Sequence, residues 1–194
     1  MLVATTTWHF VRHGQSTANA EGWVAGHVDA PLTAVGIRQA EALRRPLRDA
    51  TPGRVVSSDL VRARRTAELA WGRRAPSLEV HEALRERHLG AWERASLAEM
   101  RRDGRIRTLH SWAGAPPEGE SQRMLSERVL RWLATHDDGV ETMLFVHGGL
   151  IRCIVGLVDG TDPERIGLQK VKNTEWVQRT LPTGRWAELL EELP

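Results

Sequence analysis

The feature that most restricts the fold is an alternation of period along the chain. Short β-rich runs, Thr5 to Arg12, Arg54 to Ser57, Leu78 to Val80 and Thr142 to Val146, are separated by longer segments whose apolar residues recur every three to four positions. Strands separated by helices pair in parallel, because a parallel pair needs a crossover long enough to hold a helix. The expected fold is therefore α/β, three layers with a mainly parallel central sheet. Thr33 is placed to cap a helix carrying Ile37, Ala40, Leu43 and Leu47, which Pro46 should end or bend near its last turn. Further helices are expected over Asp59 to Trp71, Ser121 to Thr135 and Gly149 to Val158, the last apolar nearly all round and so buried. Val171 to Leu190 is expected to supply one or two edge strands. The stretch at about 94–120 holds a short helix, Leu97 to Arg102, followed by Gly and Pro. It reads as a cap-like excursion of a single domain spanning 1–194.

Composition narrows the class. At 194 residues, 41% hydrophobic and 27% charged, the chain can bury a core without staples, and collagen, a long coiled coil and wholesale disorder are excluded. The longest apolar run, Leu150 to Val158, is broken by Arg152 and is too short to span a bilayer, so no membrane partner is expected. Met1 to Phe10 lacks the basic and apolar regions of a signal peptide, which leaves the cytoplasm as the expected location. Cys153 is the only cysteine, so an internal disulfide and a cysteine zinc site are both impossible. Of 27 basic residues, all but Lys170 and Lys172 are arginine, yet the net charge is only +2. Acidic residues interleave with the arginines along the helical segments, which describes a salt-bridged surface. A nucleic-acid partner would need a basic patch with aromatic platforms. The eight tryptophans are scattered and read as packing. Nothing in the sequence specifies an oligomeric state.

Ligands of open α/β sheets bind beyond the carboxyl ends of the strands. Three such ends carry unusual residues: Arg12-His13-Gly14, Ser57-Ser58-Asp59 with Arg62 just after, and His147-Gly148-Gly149. Two histidines and two arginines would then share one crevice. A neutral imidazole is a competent nucleophile toward phosphorus. Arginine forks neutralise a phosphoryl group and its transition state. Glycine lets backbone approach an anion, and a helix start offers it free N–H groups. Singly these signals are weak. An Arg-His-Gly triplet arises by chance in an arginine-rich chain, and Arg62 beside Arg64 and Arg65 reads as a surface residue. The ensemble carries the inference.

These motifs resemble the histidine phosphatase superfamily, with its phosphoglycerate-mutase-like fold, from about Thr7 to just beyond His147. The resemblance rests on six blocks in order: Val11-Arg12-His13-Gly14-Gln15-Ser16 with Asn19; Gly26 to Thr33 with Gly36 and Gln39-Ala40; Ser57 to Arg62 with Thr66-Ala67; Leu84-Arg85-Glu86-Arg87 with Leu89 to Glu93; Pro116 to Ser121; and Phe145 to Arg152. It implies that His13 attacks the phosphoryl group to form a phosphohistidine. Arg12, Asn19, Arg62 and Gly148 would hold the phosphoryl oxygens. His147 would stabilise the transition state from the opposite side. Glu86 would protonate the leaving oxygen and then activate water; taken alone, it reads as a surface carboxylate, with Glu82 and Glu93 as rivals. Gln15, His27 and Trp112 are candidate substrate contacts, with packing as the alternative for His27; Trp112 shares the excursion with Arg105, Arg107 and His110. His9 and His88 read as structural, Asp29 to Leu32 as a turn, and Cys153 as an inert buried thiol. No metal and no cofactor are expected.

Three positions depart from the family pattern: Gln15, where glutamate is frequent, and Arg94 and Glu118, where glycine is usual. The last two border the expected substrate entrance. The leading reading is a phosphomonoester hydrolase acting on a small phosphorylated metabolite. A phosphoglycerate mutase is the first alternative, disfavoured because the interval from Arg87 to Val146 is short for the lid a mutase needs. A non-catalytic binding or regulatory module of the same fold is the second, disfavoured because nucleophile, clamp arginines and second histidine are all present.

Overall fold

The computed structural model describes residues 4–71 and 77–194; of the Met1 to Phe10 segment read above, residues 1–3 lie outside it. The strands are β1 (Thr5–Arg12), β2 (Arg54–Ser58), β3 (Glu79–His81), β4 (Thr142–Val146) and β5 (Trp176–Pro182). They form one sheet in the order β3-β2-β4-β1-β5. The first four run parallel, with Arg12 opposite Val146 and Ser57 opposite Phe145. Only β5, at the edge, pairs antiparallel with β1. The expected mainly parallel sheet is therefore present.

Side chains alternate across a strand, and the sheet buries both faces. Trp8, Phe10, Val56, Leu144 and Val146 pack against α6 (Gln122–Thr135), α7 (Gly148–Val158) and α9 (Arg185–Glu191). Val11, Val55, Met143 and Phe145 face the other way, against Ala67 and Ala70 of α3 (Val61–Trp71) and against Leu43 and Leu47, which follow α2 (Ala34–Ala42). Strands buried on both faces read as near-continuous apolar runs, as β4 does. Caps set the helix starts: Thr33 Oγ1 accepts from the Gly36 N–H and Ser121 Oγ from the Met124 N–H. α2 ends at Ala42, one turn before Pro46, and the chain continues in tighter turns, with Leu43 still in helical geometry and the Arg44 N–H on Glu41 O and the Arg45 N–H on Ala42 O; Pro46 has no N–H to extend the helix.

The excursion folds on a small core of its own. α4 (Leu97–Arg102) and α5 (Arg105–His110) gather Leu89, Met100 and Leu109, with Val24, Trp92 and Ile106 packed around them. Backbone hydrogen bonds clasp this cap to the segment after α1 (Thr17–Glu21): Leu97 N–H to Gly22 O at 2.9 Å, Arg94 N–H to Val24 O at 2.9 Å and Val24 N–H to Ala95 O at 3.0 Å. Arg94 and Glu118 have φ of 69° and 60°. These are the two positions where the family pattern has glycine, and the backbone there is left-handed.

Four of the described helices were not foreseen. They include α1, in the segment after the first strand, and α5. The tail supplies one edge strand, within the expected one or two, and ends in α9, which was not foreseen. A short helical turn, α8 (Pro163–Ile166), precedes it. Among the described residues, no helix is long and apolar enough to cross a membrane.

Candidate active site

Adjacent strands β2, β4 and β1 deliver their carboxyl ends to one cavity of about 460 Å³. His13 leaves β1, His147 leaves β4 and caps α7, and Arg62 lies in the first turn of α3 after β2. The loop after β1 is fixed on three sides. The His13 N–H donates to Val146 O, the Gly14 N–H to Thr66 Oγ1, and Asn173 Nδ2 to His13 O, each at 3.0 Å.

His13 is nearly fully buried. Its Nδ1 lies 2.7 Å from the Gly14 carbonyl, which can only accept, so Nδ1 carries the proton and Nε2 the lone pair. Burial, then Arg62 and Arg12, hold its pKa well below the ordinary 6.5. The ring is thus neutral at pH 7, with its nucleophilic nitrogen fixed. His147 is fully buried, its ring centre 5.3 Å from that of His13. Burial, then Arg62, hold it neutral as well. Neither of its ring nitrogens has a hydrogen-bond partner. Unpartnered buried polar atoms cost about 1–3 kcal/mol each, and an incoming oxyanion would relieve that cost.

The cationic side is equally unpaired. Arg62 is 2% exposed, and two backbone carbonyls, Val28 O and Gly26 O, orient its guanidinium at 2.9 and 2.8 Å. Arg12 donates to Val171 O, and its Nε has no partner. Burial lowers both pKa values, but guanidinium stays charged at any physiological pH. Among the described residues, neither has a carboxylate within ion-pairing distance, whereas the half-buried Arg54, Arg85, Arg105, Arg128, Arg179 and Arg185 all do. Buried cations without a counter-ion mark a place prepared for an anion. Asn19 lines the same cavity. Its Oδ1 accepts from the Ser16 N–H and from Asn173 Nδ2, which leaves its NH₂ for an acceptor. Gly148 also lines it, packed against Arg12.

Glu86 reaches the same cavity from the loop after β3. Its Oε2 accepts from the Gly149 N–H at 2.9 Å and its Oε1 from the Arg87 N–H at 3.0 Å. A Cβ on Gly149 would sit 2.2 Å from Glu86 Oε1, so only glycine permits this approach to the start of α7. Burial pushes the Glu86 pKa up, but Arg152, the two N–H donors and Arg62 together hold it below the usual 4.5. Behind it, Arg128 pairs with Glu120 through two hydrogen bonds and donates to the carbonyls of Ala83, Arg85 and Glu86. That clamp fixes the segment presenting the carboxylate.

The structure therefore brings together His13, His147, Arg12, Arg62, Asn19, Gly148 and Glu86. It does not bring the three candidate substrate contacts to the cavity. Gln15 turns to α2, accepting from Thr33 Oγ1 at 2.8 Å. His27 lies behind Glu86, in a neighbouring hollow with His88 and Arg128, and donates to the Glu86 carbonyl at 2.8 Å. Trp112 is 5% exposed in the main core, its indole N–H on Pro194 O. In this structure all three side chains are engaged in packing or positioning contacts away from the cavity. The turn expected at Asp29 to Leu32 is not formed; Asp29 instead accepts from the Val61 N–H at the start of α3. Burial pushes the Cys153 thiol up to about 11, which keeps it inert. Glu93 accepts from the His27 and Leu89 N–H groups and does not line the cavity.

Sequence reasoning missed Arg87 and Arg152, which line the cavity. Arg87 hid in the run Arg85-Glu86-Arg87. Arg152 had a signal: a lone charge inside an otherwise apolar helix needs an anion or water to face.

The chain is similar to known proteins along most of its length. Residues 8–192 match the family described as "Histidine phosphatase superfamily (branch 1)". The "Probable phosphoglycerate mutase GpmB" of Escherichia coli O139:H28 is 34% identical over 159 residues, which is 78% of this chain and 74% of that protein. Among solved structures, a mycobacterial glucosyl-3-phosphoglycerate phosphatase with VO3 superposes with a TM-score of 0.81 at 28% identity, covering 89% of this chain and 92% of the other. The alpha-ribazole phosphatase of Shigella flexneri gives a TM-score of 0.77 at 29% identity, covering 89% of each chain. A match over nearly the whole chain, together with the paired histidines and arginines at the strand ends, places this protein in the histidine phosphatase superfamily.

Proposed function

We propose that the protein hydrolyses small phosphomonoesters through a phosphohistidine on His13. The observation that carries this reading is the pairing of two neutral buried histidines with the buried Arg62 and the half-buried Arg12, which lack counter-ions, at the ends of adjacent strands. His13 Nε2 attacks phosphorus as the bond to the leaving oxygen breaks. Arg12, Arg62, Asn19 and the start of α7 hold the phosphoryl oxygens, and His147 donates to them from its unpartnered ring. Glu86 delivers a proton to the leaving oxygen. As a carboxylate it then takes a proton from the water that cleaves the N–P bond and frees His13. The solved relatives named above as phosphatases support hydrolysis; the E. coli relative is named as a mutase.

His13→Ala tests the reading. Turnover should fall at least about a thousandfold, roughly 4 kcal/mol of barrier. Acid-labile label trapped from a radiolabelled phosphomonoester should be present in the parent and absent from the variant. Label persisting in the variant would assign the intermediate to another residue.

A further inference from the structure

We propose that Asn173, in the turn that leads into β5, is a positioning residue of the phosphoryl clamp: it holds the Asn19 side chain with its NH₂ toward the phosphoryl oxygens. This deepens the phosphomonoesterase reading and rests on it for what the clamp holds.

The turn is built to deliver that side chain. It closes on itself, the Glu175 N–H donating to Lys172 O at 3.1 Å and the Lys172 N–H to Glu175 Oε2 at 2.6 Å. It is also tied to the end of β1. The Arg12 N–H donates to Glu175 O at 2.9 Å, and the Thr174 N–H to Arg12 O at 3.1 Å. Thr174 has φ of 58°. For a β-branched residue that backbone is a genuine outlier, and it persists only where the surroundings over-determine it. Here the hydrogen bonds to Arg12 and within the turn do so, and the residue they fix beside Thr174 is Asn173.

The order of donors and acceptors then sets Asn19. The His13 carbonyl can only accept, so the Asn173 side-chain nitrogen faces it, at 3.0 Å. A second N–H of the same nitrogen meets the Asn19 side chain at 3.1 Å, and so meets its oxygen. The Ser16 N–H donates to that oxygen as well, at 3.2 Å. Both lone pairs of Asn19 Oδ1 are thereby engaged, which leaves its NH₂ for the cavity that Asn19 lines. Asn19 is an exposed residue, and a hydrogen bond that competes with water contributes little net stability. Without Asn173, only the Ser16 N–H opposes rotation of the Asn19 amide into solvent. Anchored on the nucleophile's own carbonyl, Asn173 ties one phosphoryl ligand to the backbone of His13.

The test reads binding of inorganic phosphate by calorimetry in four proteins: the parent, Asn173→Leu, Asn19→Ala and the double variant. Leucine is close to asparagine in size and offers no donor. Asn19→Ala should weaken phosphate at least about tenfold, because a hydrogen bond to a charged group is lost. Asn173→Leu should weaken it at least about fivefold. In the Asn19→Ala protein the same substitution should weaken it less than about twofold, because the group it positions is absent. On nitrophenyl phosphate, kcat/KM should fall in the same pattern. Should Asn173→Leu fail to fold, Asn173→Ala takes its place in the cycle. A further loss above about twofold in the Asn19→Ala protein marks a residue that only stabilises the turn, and overturns the proposal. So does a loss below about fivefold in the single Asn173 variant, or below about tenfold in Asn19→Ala. The reading of the activity fails separately, when the parent releases no phosphate from nitrophenyl phosphate while the binding pattern stands.

Discussion

At Glu86 the residue-scale problem is a proton. The carboxylate is held ionised by Arg152, two N–H donors and Arg62, yet an acid catalyst has to arrive protonated. The substrate supplies the remedy, because its negative charge offsets the arginines and raises the Glu86 pKa on binding. The same charge raises His13 and His147, which are otherwise kept neutral. A dianion that does not itself titrate near neutrality should therefore bind with net proton uptake. Calorimetry of sulfate binding at pH 7 in buffers of different ionisation enthalpy measures it; enthalpies independent of the buffer would count against this coupling. The acid role has its own signature. Glu86→Gln should slow hydrolysis of alkyl phosphates about a hundredfold or more, and nitrophenyl phosphate distinctly less, since nitrophenolate leaves without a proton. Equal losses would remove Glu86 from that role.

At the scale of elements, Gly149 joins the start of α7 to Glu86. Gly149→Ala places a Cβ 2.2 Å from Glu86 Oε1 and so displaces the carboxylate. The variant should keep its circular dichroism spectrum and lose at least about tenfold in kcat on alkyl phosphates, as expected for a misplaced catalytic group. Glu118 makes the opposite case. Its φ of 60° costs a side-chain-bearing residue about 1–2 kcal/mol, while glycine loses about 0.5–1 kcal/mol more entropy on folding. Glu118→Gly should therefore stabilise by up to about 1 kcal/mol in urea unfolding. Arg94→Gly should gain less, because the Arg94 guanidinium lies 5.7 Å from the Trp23 ring centre.

The elements most legible in the sequence were those whose period is uncontested. β1 and β4 fall on the residues expected, since each is a run of one period bounded by a clear stop; α4 does so as well, as a short helix with a side-chain cap at Ser96 and an end before Asp103-Gly104. α5 and α9 were not legible. Both begin after a left-handed glycine, Gly104 and Gly184, and neither has a side-chain cap to announce it. At six and seven residues they are too short to display a helical period. The gathering of His13, Arg12, Arg62 and His147 around one cavity was legible because these residues sit at or just after strand ends, where position follows from topology. Gln15, His27 and Trp112 do not line the cavity, because a residue's place in the sequence does not set which way its side chain points.

For the molecule as a whole, the buried histidines tie stability to pH. An unfolded histidine binds a proton near pH 6.5; His13 and His147 in the fold stay neutral until well below that. As pH falls through this interval the unfolded chain binds more protons, so stability is full above about pH 6.5 and declines with acidification. The melting temperature should drop between pH 7.5 and 5.5, and drop less in His147→Asn. A slope unchanged by that substitution would place the coupling elsewhere. Hydrolysis and mutase chemistry also separate at this scale, because a mutase keeps water from its phosphoenzyme. With 3-phosphoglycerate and a trace of 2,3-bisphosphoglycerate, 2-phosphoglycerate should be negligible, and phosphate release should persist in EDTA. Rapid isomerisation with little free phosphate would favour the mutase.

The separate small core of the cap has a consequence for divergence. Leu89, Met100 and Leu109 pack apart from both sheet cores, and two of them, Leu89 and Leu109, also wall the cavity. Volume-conserving exchanges among such residues cost less than about 1.5 kcal/mol, and here they reshape the wall without disturbing the strands that carry His13 and His147. Mutational drift in the cap can therefore change which alcohol is accepted while the phosphoryl chemistry stays fixed on the sheet.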